Sequence, residues 1–282
     1  MAVQNFIQTI WSKKFLEELE VACKLVDNCW REYEGDAKYA GSVKILGIGD
    51  VTIGDYEKKD ITIQEVDDKG QLLTIDQAKY FAFVFDDVDK AQSVPGLMEG
   101  TRKEGIHQLA VARDSFVAEL IKSVATNPNS EEYTPADYTT TVTALTPDAV
   151  KQGIDDAIVA LKCRNFGEDA VIELDPRAAM AFKNSLTVTS TDNPEYIKKG
   201  VIGYYHGYKV IESNNLAKDG NYTCCAIRGK KAIAFVGQLE KVEAMPMERR
   251  FGDLVKGLDV YGGKVIDRNR IQVIKIPTTV SA

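Results

Sequence analysis

A long run of helical periodicity restricts the fold more than any other feature of this sequence. Between residues 97 and 125, Ile106, Leu109, Arg113, Phe116, Val117, Leu120, Ile121 and Val124 recur at helical spacing. At about 1.5 Å per residue this helix would be on the order of 40 Å long. Few compact domains need one so long, and Gly100 and Gly105 weaken only its first turns.

Ahead of the helix, the run Lys79 to Phe85 puts Phe81, Phe83 and Phe85 on one strand face and Tyr80, Ala82 and Val84 on the other. A strand with two apolar faces is covered on both sides, by its own domain or by a neighbour. Upstream again, from Gly41, short β-type runs (SVKIL, DVTI, DITIQEV, QLLTI) alternate with Gly47, Gly49, Gly54, Asp55, Lys69 and Gly70. That pattern predicts a long hairpin with too few apolar residues to form a core.

At the start of the chain, Phe6, Ile7, Ile10 and Trp11 lead into helical spacing at Phe15, Leu16, Leu19, Ala22, Cys23 and Val26, an apolar arm followed by an amphipathic helix. Residues 126–145 read as a loop. Thr146 then caps a helix with Pro147 at its first position and Val150, Ile154, Ala157, Ile158 and Leu161 as its stripe. A strand at Ala170 to Leu174 runs into Asp175 and Pro176, which open a short helix through Phe182, and the remainder reads as strands as far as Ile276. The fold class is α+β.

With 282 residues and 44% hydrophobic content, the chain has room for one or two globular domains. Lys13, Lys14, Glu17 and Glu18 interrupt any apolar run near the start, so neither a secretory signal nor a membrane anchor fits and a soluble, cytosolically made protein is expected. Five cysteines without repeated spacing are expected to be reduced, mostly packed thiols. The net charge is −7, but its distribution is uneven. Residues 34–90 carry 13 Asp and Glu against 7 Lys and Arg, whereas residues 228–275 carry 11 Lys and Arg against 6 Asp and Glu.

Motifs for small-molecule chemistry are weak. The glycines of 47–54 have the wrong spacing for a dinucleotide loop and no helix pattern after them, so a hairpin turn accounts for them. His107 and His206 lack ligand-spaced neighbours, and Cys224 and Cys225, adjacent on a strand, point to opposite faces. Cys23 and Cys29, six residues apart, face different sides of the expected helix. The cluster Asp86, Asp87, Asp89 has the oxygen chemistry of a cation site but reads first as a solvated turn. An α+β metabolic enzyme would have only isolated Cys, His and Asp residues to work with. No basic stripe interleaved with aromatics marks sequence-specific nucleic-acid binding.

Five segments together resemble the major capsid proteins of tailed bacteriophages: FIQTIWSKKFLEEL at the start, GDVTIGDY in the hairpin, LLTIDQAKYFAFVFDDVDKAQS before the long helix, HGYKVIESNNL at 206–216 and RRFGDLVKGLDVYGGKVI at 249–266. The resemblance implies the Hong Kong 97-type shell fold. In its terms residues 1–33 are an N-terminal arm, 34–78 an extended loop, 79–132 a peripheral domain with its spine helix, 133–239 an axial domain, and 240–282 strands returning to the peripheral domain. It implies self-assembly into hexamers and pentamers of a shell, with portal, scaffolding and decoration proteins and packaged double-stranded DNA as partners. It implies no catalytic residue, cofactor, metal or membrane. Because the sequence enters the arm almost at once, the resemblance leads to the expectation that scaffolding is a separate protein, absent, or already removed, rather than the fused segment some relatives carry. An encapsulin-like nanocompartment shares the fold and is the alternative role. The family's extended loop reaches over a neighbour, so contact candidates between subunits are Asp55, Glu57, Asp60, Glu65, Asp67 and Asp68 on the acidic side. Opposite them stand Arg249, Arg250, Lys256, Arg268 and Arg270, with Phe81 and Phe83 added from the two-faced strand.

Overall fold

The apolar stripe at 97–125 folds as a single helix, α1 (Leu97–Thr126), whose 30 residues span about 45 Å. The computed structural model describes residues 23–34, 41–45, 70–86, 97–126, 134–166, 169–186, 203–247 and 251–278. Ile106, Leu109, Ala110, Val117, Ala118, Ile121 and Val124 of α1 are buried, with Arg113 and Asp114 buried among them.

Two sheets lie along this helix. The smaller contains β3 (Gln77–Asp86), β10 (Ile233–Pro246) and β11 (Gly252–Val265), antiparallel in the order β10-β11-β3. A register shift between Gly237 and Leu239 marks a bulge in β10. The base of the expected long hairpin is present as β1 (Ser42–Ile45) paired with β2 (Gln71–Thr74). Its tip, residues 46–69, lies outside the described residues. Gly262 of β11 fixes where that base sits. A Cβ there would run into the Thr74 carbonyl oxygen, so only glycine lets the two backbones approach so closely.

The larger sheet runs β4 (Thr139–Thr141), β12 (Ile271–Pro277), β9 (Tyr222–Gly229), β5 (Ala170–Leu174), β7 (Tyr208–Glu212), β6 (Tyr204–Tyr205), with β8 (Lys218–Asp219) alongside β9. The β4–β12 and β5–β7 pairs are parallel and the others antiparallel. Positions 223–228 of β9 are buried without a break, as expected of a strand covered on both faces. The β6–β7 turn places His206 (φ 49°) and Gly207 (φ 83°) in the left-handed region, the geometry of a tight two-residue hairpin.

Packed with this sheet are α2 (Pro147–Cys163) and α3 (Pro176–Ser185). Val150, Ile154, Ala157, Ile158 and Leu161 of α2 are all buried. Thr146 occupies the N-cap position of α2, but its side chain makes no capping bond, whereas Asp175 caps α3 by accepting from the Arg177 N–H.

Two expectations are corrected. Residues 240–282 do not all return to the peripheral sheet. β12 pairs with β9 and β4 in the larger sheet, because the 3-10 turn at Arg268–Arg270 carries the chain across after β11. The expected helix around Cys23 and Val26 is, within the described residues, a pair of 3-10 turns (Val26–Asn28 and Glu32–Glu34) rather than an α-helix. The rest of the arm lies outside them.

Candidate functional site

The inner face of the small sheet meets α1. Phe81 and Phe83 stack with ring centres 5.6 Å apart, and Phe81 fills the space over Gly257 on β11 and touches Gly105 on α1. Both rings pack against the main core, so the structure turns these two contact candidates inward. A strand with two apolar faces carries no sequence signal of which face its own helix will cover. Here α1 covers the phenylalanines, and Tyr80 at 78% exposure and Val84 at 48% are left outward.

Register extends that outer face across the sheet. Tyr80 stands opposite Leu258, Ala82 opposite Lys256, and Val84 opposite Leu254, which in turn stands opposite Met245. Across the middle of this apolar face Glu243 is paired with Lys241 and with Lys256 at 3.0 Å. Lys241 and then Lys256 hold the Glu243 carboxyl below its ordinary pKa by hydrogen bonding. Phe251, at the turn between β10 and β11, is 85% exposed. The face combines apolar area with a fixed charge row, the composition of a surface that another protein covers.

The arm segment is clamped by two buried charges. Asp114 on α1 accepts hydrogen bonds from the backbone N–H groups of Lys24 (3.1 Å), Leu25 (3.0 Å) and Val26 (3.3 Å). Arg228 on β9 donates to the carbonyls of Leu25 (2.6 Å) and Asn28 (2.7 Å) while forming an ion pair with Glu173. Burial disfavours the Arg228 charge, but Glu173 and Cys29 together outweigh it and the guanidinium pKa ends up raised. Trp30 then joins β10 by a parallel bridge to Ala234. Residues 24–28 are thus held by donors and acceptors that the segment needs for its own backbone. In the sequence Arg113 stands in the helical stripe, but nothing local marks a role for Asp114, Glu173 or Arg228. A charged residue at an apolar stripe position was the available signal.

The remaining candidates separate in space. Lys256 is mid-strand on β11, whereas Arg268 and Arg270 lie beyond its far end, on the order of 30 Å away at the rise of a strand. Arg270 is held by Asp267 at 2.8 Å and lies over the Phe166 ring. Asp55, Glu57, Asp60, Glu65, Asp67, Asp68, Arg249 and Arg250 fall outside the described residues, as do Asp87 and Asp89. Among the described residues no group of His, Cys, Asp and Glu is placed to hold a metal ion, and no helix is long and apolar enough to cross a membrane. His107 is exposed on α1.

Among the described residues, then, a helix-backed sheet leaves an apolar face exposed, residues 24–28 are fixed to the body by buried charges, and the paired base β1–β2 lies against β11. No family model and no curated protein matches the chain. Among solved structures, a chain of Mycobacterium phage Che8 is 27% identical, with a TM-score of 0.73 over 89% of this chain and 90% of that one. A capsid structure of Cyanophage P-SCSP1u matches at 17% identity and TM-score 0.67 over 86% of this chain and 85% of that one. An encapsulin complex from Synechococcus elongatus matches at 12% identity and TM-score 0.53, over 86% and 85%. The fold is α+β and of the Hong Kong 97 type, that of tailed-phage capsid shells.

Proposed function

We propose that this chain is the major capsid protein of a tailed bacteriophage, and that its copies self-assemble into the icosahedral head shell enclosing the genome. The observation that carries this reading is the match to the Che8 phage chain over 89% of this chain and 90% of that one. The exposed face around Tyr80, Val84 and Met245 supports it, because contact with a neighbour would remove that apolar area from water. The work of such a subunit is done in its interfaces, each copy offering the same surfaces to several neighbours, with no catalytic step.

In this reading residues 1–33 form the arm, 34–78 the loop extended over a neighbour, 79–132 the peripheral domain and 133–239 the axial domain. The acidic loop residues Asp55, Glu57, Asp60, Glu65, Asp67 and Asp68 then meet Arg249, Arg250, Lys256, Arg268 or Arg270 of a neighbouring copy. Exposed pairs contribute only about 0 to 1 kcal/mol each, but the shell repeats them in every subunit. Portal, scaffolding and decoration proteins and packaged double-stranded DNA are the further partners. The protein is made in the host cytoplasm and resides in the virion capsid. An encapsulin-like compartment is the second reading, favoured by the Synechococcus match, although the phage matches have higher identity and TM-score.

Electron microscopy and sedimentation of the purified chain test the assignment. Closed or partial shells of many copies are expected, and genomic DNA or enzyme cargo in particles from producing cells separates the two readings. Monomers or dimers alone, with and without scaffolding partners, would overturn both.

A further inference from the structure

We propose that a cavity between the anchored arm segment, the end of α2 and the β9–β10 turn binds a nucleotide unit, phosphate against basic side chains and base against an aromatic ring. The cavity measures about 790 Å³, within the range of small-ligand sites. Arg31, Lys230, Lys231 and Arg270 line it against Glu32 and Asp169; with Arg270 paired to Asp267, three lining cations still face two lining carboxylates in a chain whose net charge is −7. The cations come from three stretches far apart in sequence, so tertiary folding gathers them. Like charges on one wall repel, and a bound anion relieves that repulsion.

Two of the lining side chains, Trp30 and Phe166, are aromatic. Lys231 Nζ lies 5.7 Å from the Trp30 ring centre and the Arg270 guanidinium 4.5 Å from that of Phe166. Cation and ring thus occur side by side twice, the combination that serves phosphate and base together in single-stranded nucleic-acid sites. The Trp30 Nε1–H is buried with no acceptor among the described residues, so a ligand would meet the ring rather than this nitrogen. An acidic peptide would use the charges and leave the rings idle, which is why a nucleotide is preferred. Glu32 and Asp169 oppose an anion and keep the expected affinity modest.

The test uses the two tryptophans, Trp11 and Trp30. In the Trp11→Phe protein all indole fluorescence reports on Trp30. It is titrated with adenosine monophosphate, a short single-stranded oligothymidylate, inorganic phosphate and polyglutamate. The expected result is saturable quenching by the nucleotide or the oligonucleotide, the two arms separating free nucleotide from nucleic acid. Lys230→Gln with Lys231→Gln should weaken it roughly tenfold at unchanged melting temperature. Absence of a saturable change, a response to polyglutamate or inorganic phosphate as strong as to nucleotide, or a response untouched by the double substitution would overturn the proposal. Shell formation is read separately, so this site and the capsid assignment fail independently.

Discussion

Arg113 of α1 and Asp259 of β11 form a two-pronged ion pair, Nε to Oδ2 at 2.7 Å and Nη2 to Oδ1 at 2.5 Å, with the side chains 1% and 0% exposed. The pair lies between the long helix and the central strand of the small sheet, beside the rings of Phe235 and Tyr261. It therefore fixes the position of the helix along the strand, which apolar contacts alone leave free to slide.

Arg113→Ala strips Asp259 of this ion partner while leaving its charge buried, and should destabilise the subunit by about 3 to 5 kcal/mol in urea denaturation. Replacing both residues with apolar ones of similar volume should recover most of that loss. If the single and double variants are equally unstable, packing at Arg113 matters more than the pairing.

Asp114→Ala removes the acceptor of three backbone N–H groups at the start of the described arm segment. A cost of about 1 to 3 kcal/mol follows for donors left unpaired in a buried setting. The more specific outcome is local. Trypsin should cut after Lys24 faster than in the unchanged protein under native conditions, as read by mass spectrometry. An unaltered cleavage rate would mean that Arg228 and the Trp30 bridge hold the segment without Asp114.

Of the five cysteines, Cys163 is exposed and the other four are buried. Native protein should titrate with one equivalent of a thiol reagent and unfolded protein with five. Burial pushes the Cys224 thiol from its ordinary 9.0 up to about 11 and the Cys23 thiol up to about 12. Both shifts favour the protonated form in the folded state, so their contribution is complete below pH 9 and is lost as pH climbs toward those values. The melting temperature should fall from pH 9 to 11, and less steeply in Cys224→Ala.

The two faces of β3 give a contrast between outward and inward side chains. Tyr80→Glu and Val84→Glu should each change subunit stability by less than about 0.5 kcal/mol, as surface substitutions do, yet abolish shells in sedimentation. Phe81→Ala should cost about 2 kcal/mol, below the usual range for a fully buried ring because this one is only partly covered. Shells that persist in Val84→Glu would exclude this face as an interface.

The elements of this fold were legible because their signals are local. Helical spacing from Ile106 to Val124, the Pro147 helix start and the Asp175 cap each depend on residues within a turn or two, and a short aromatic and apolar run along 79–85 marked the strand. Which face of that strand turns inward was not legible, since Phe81 and Tyr80 are both apolar enough for a core and only α1 decides. The path of the chain after Arg270 was hidden for a similar reason: Ile271–Pro277 pairs as readily by composition with either sheet, and only its register with β9 fixes the larger one. The basic residues of 228–275 read as one segment, but a long β10–β11 hairpin carries them to opposite ends, because a strand lengthens by about 3.3 Å with every residue. Arm anchoring needed tertiary structure most of all. Asp114 and Arg228 lie 114 positions apart on a helix and a strand, and only folding brings one to the amides and the other to the carbonyls of the same short segment.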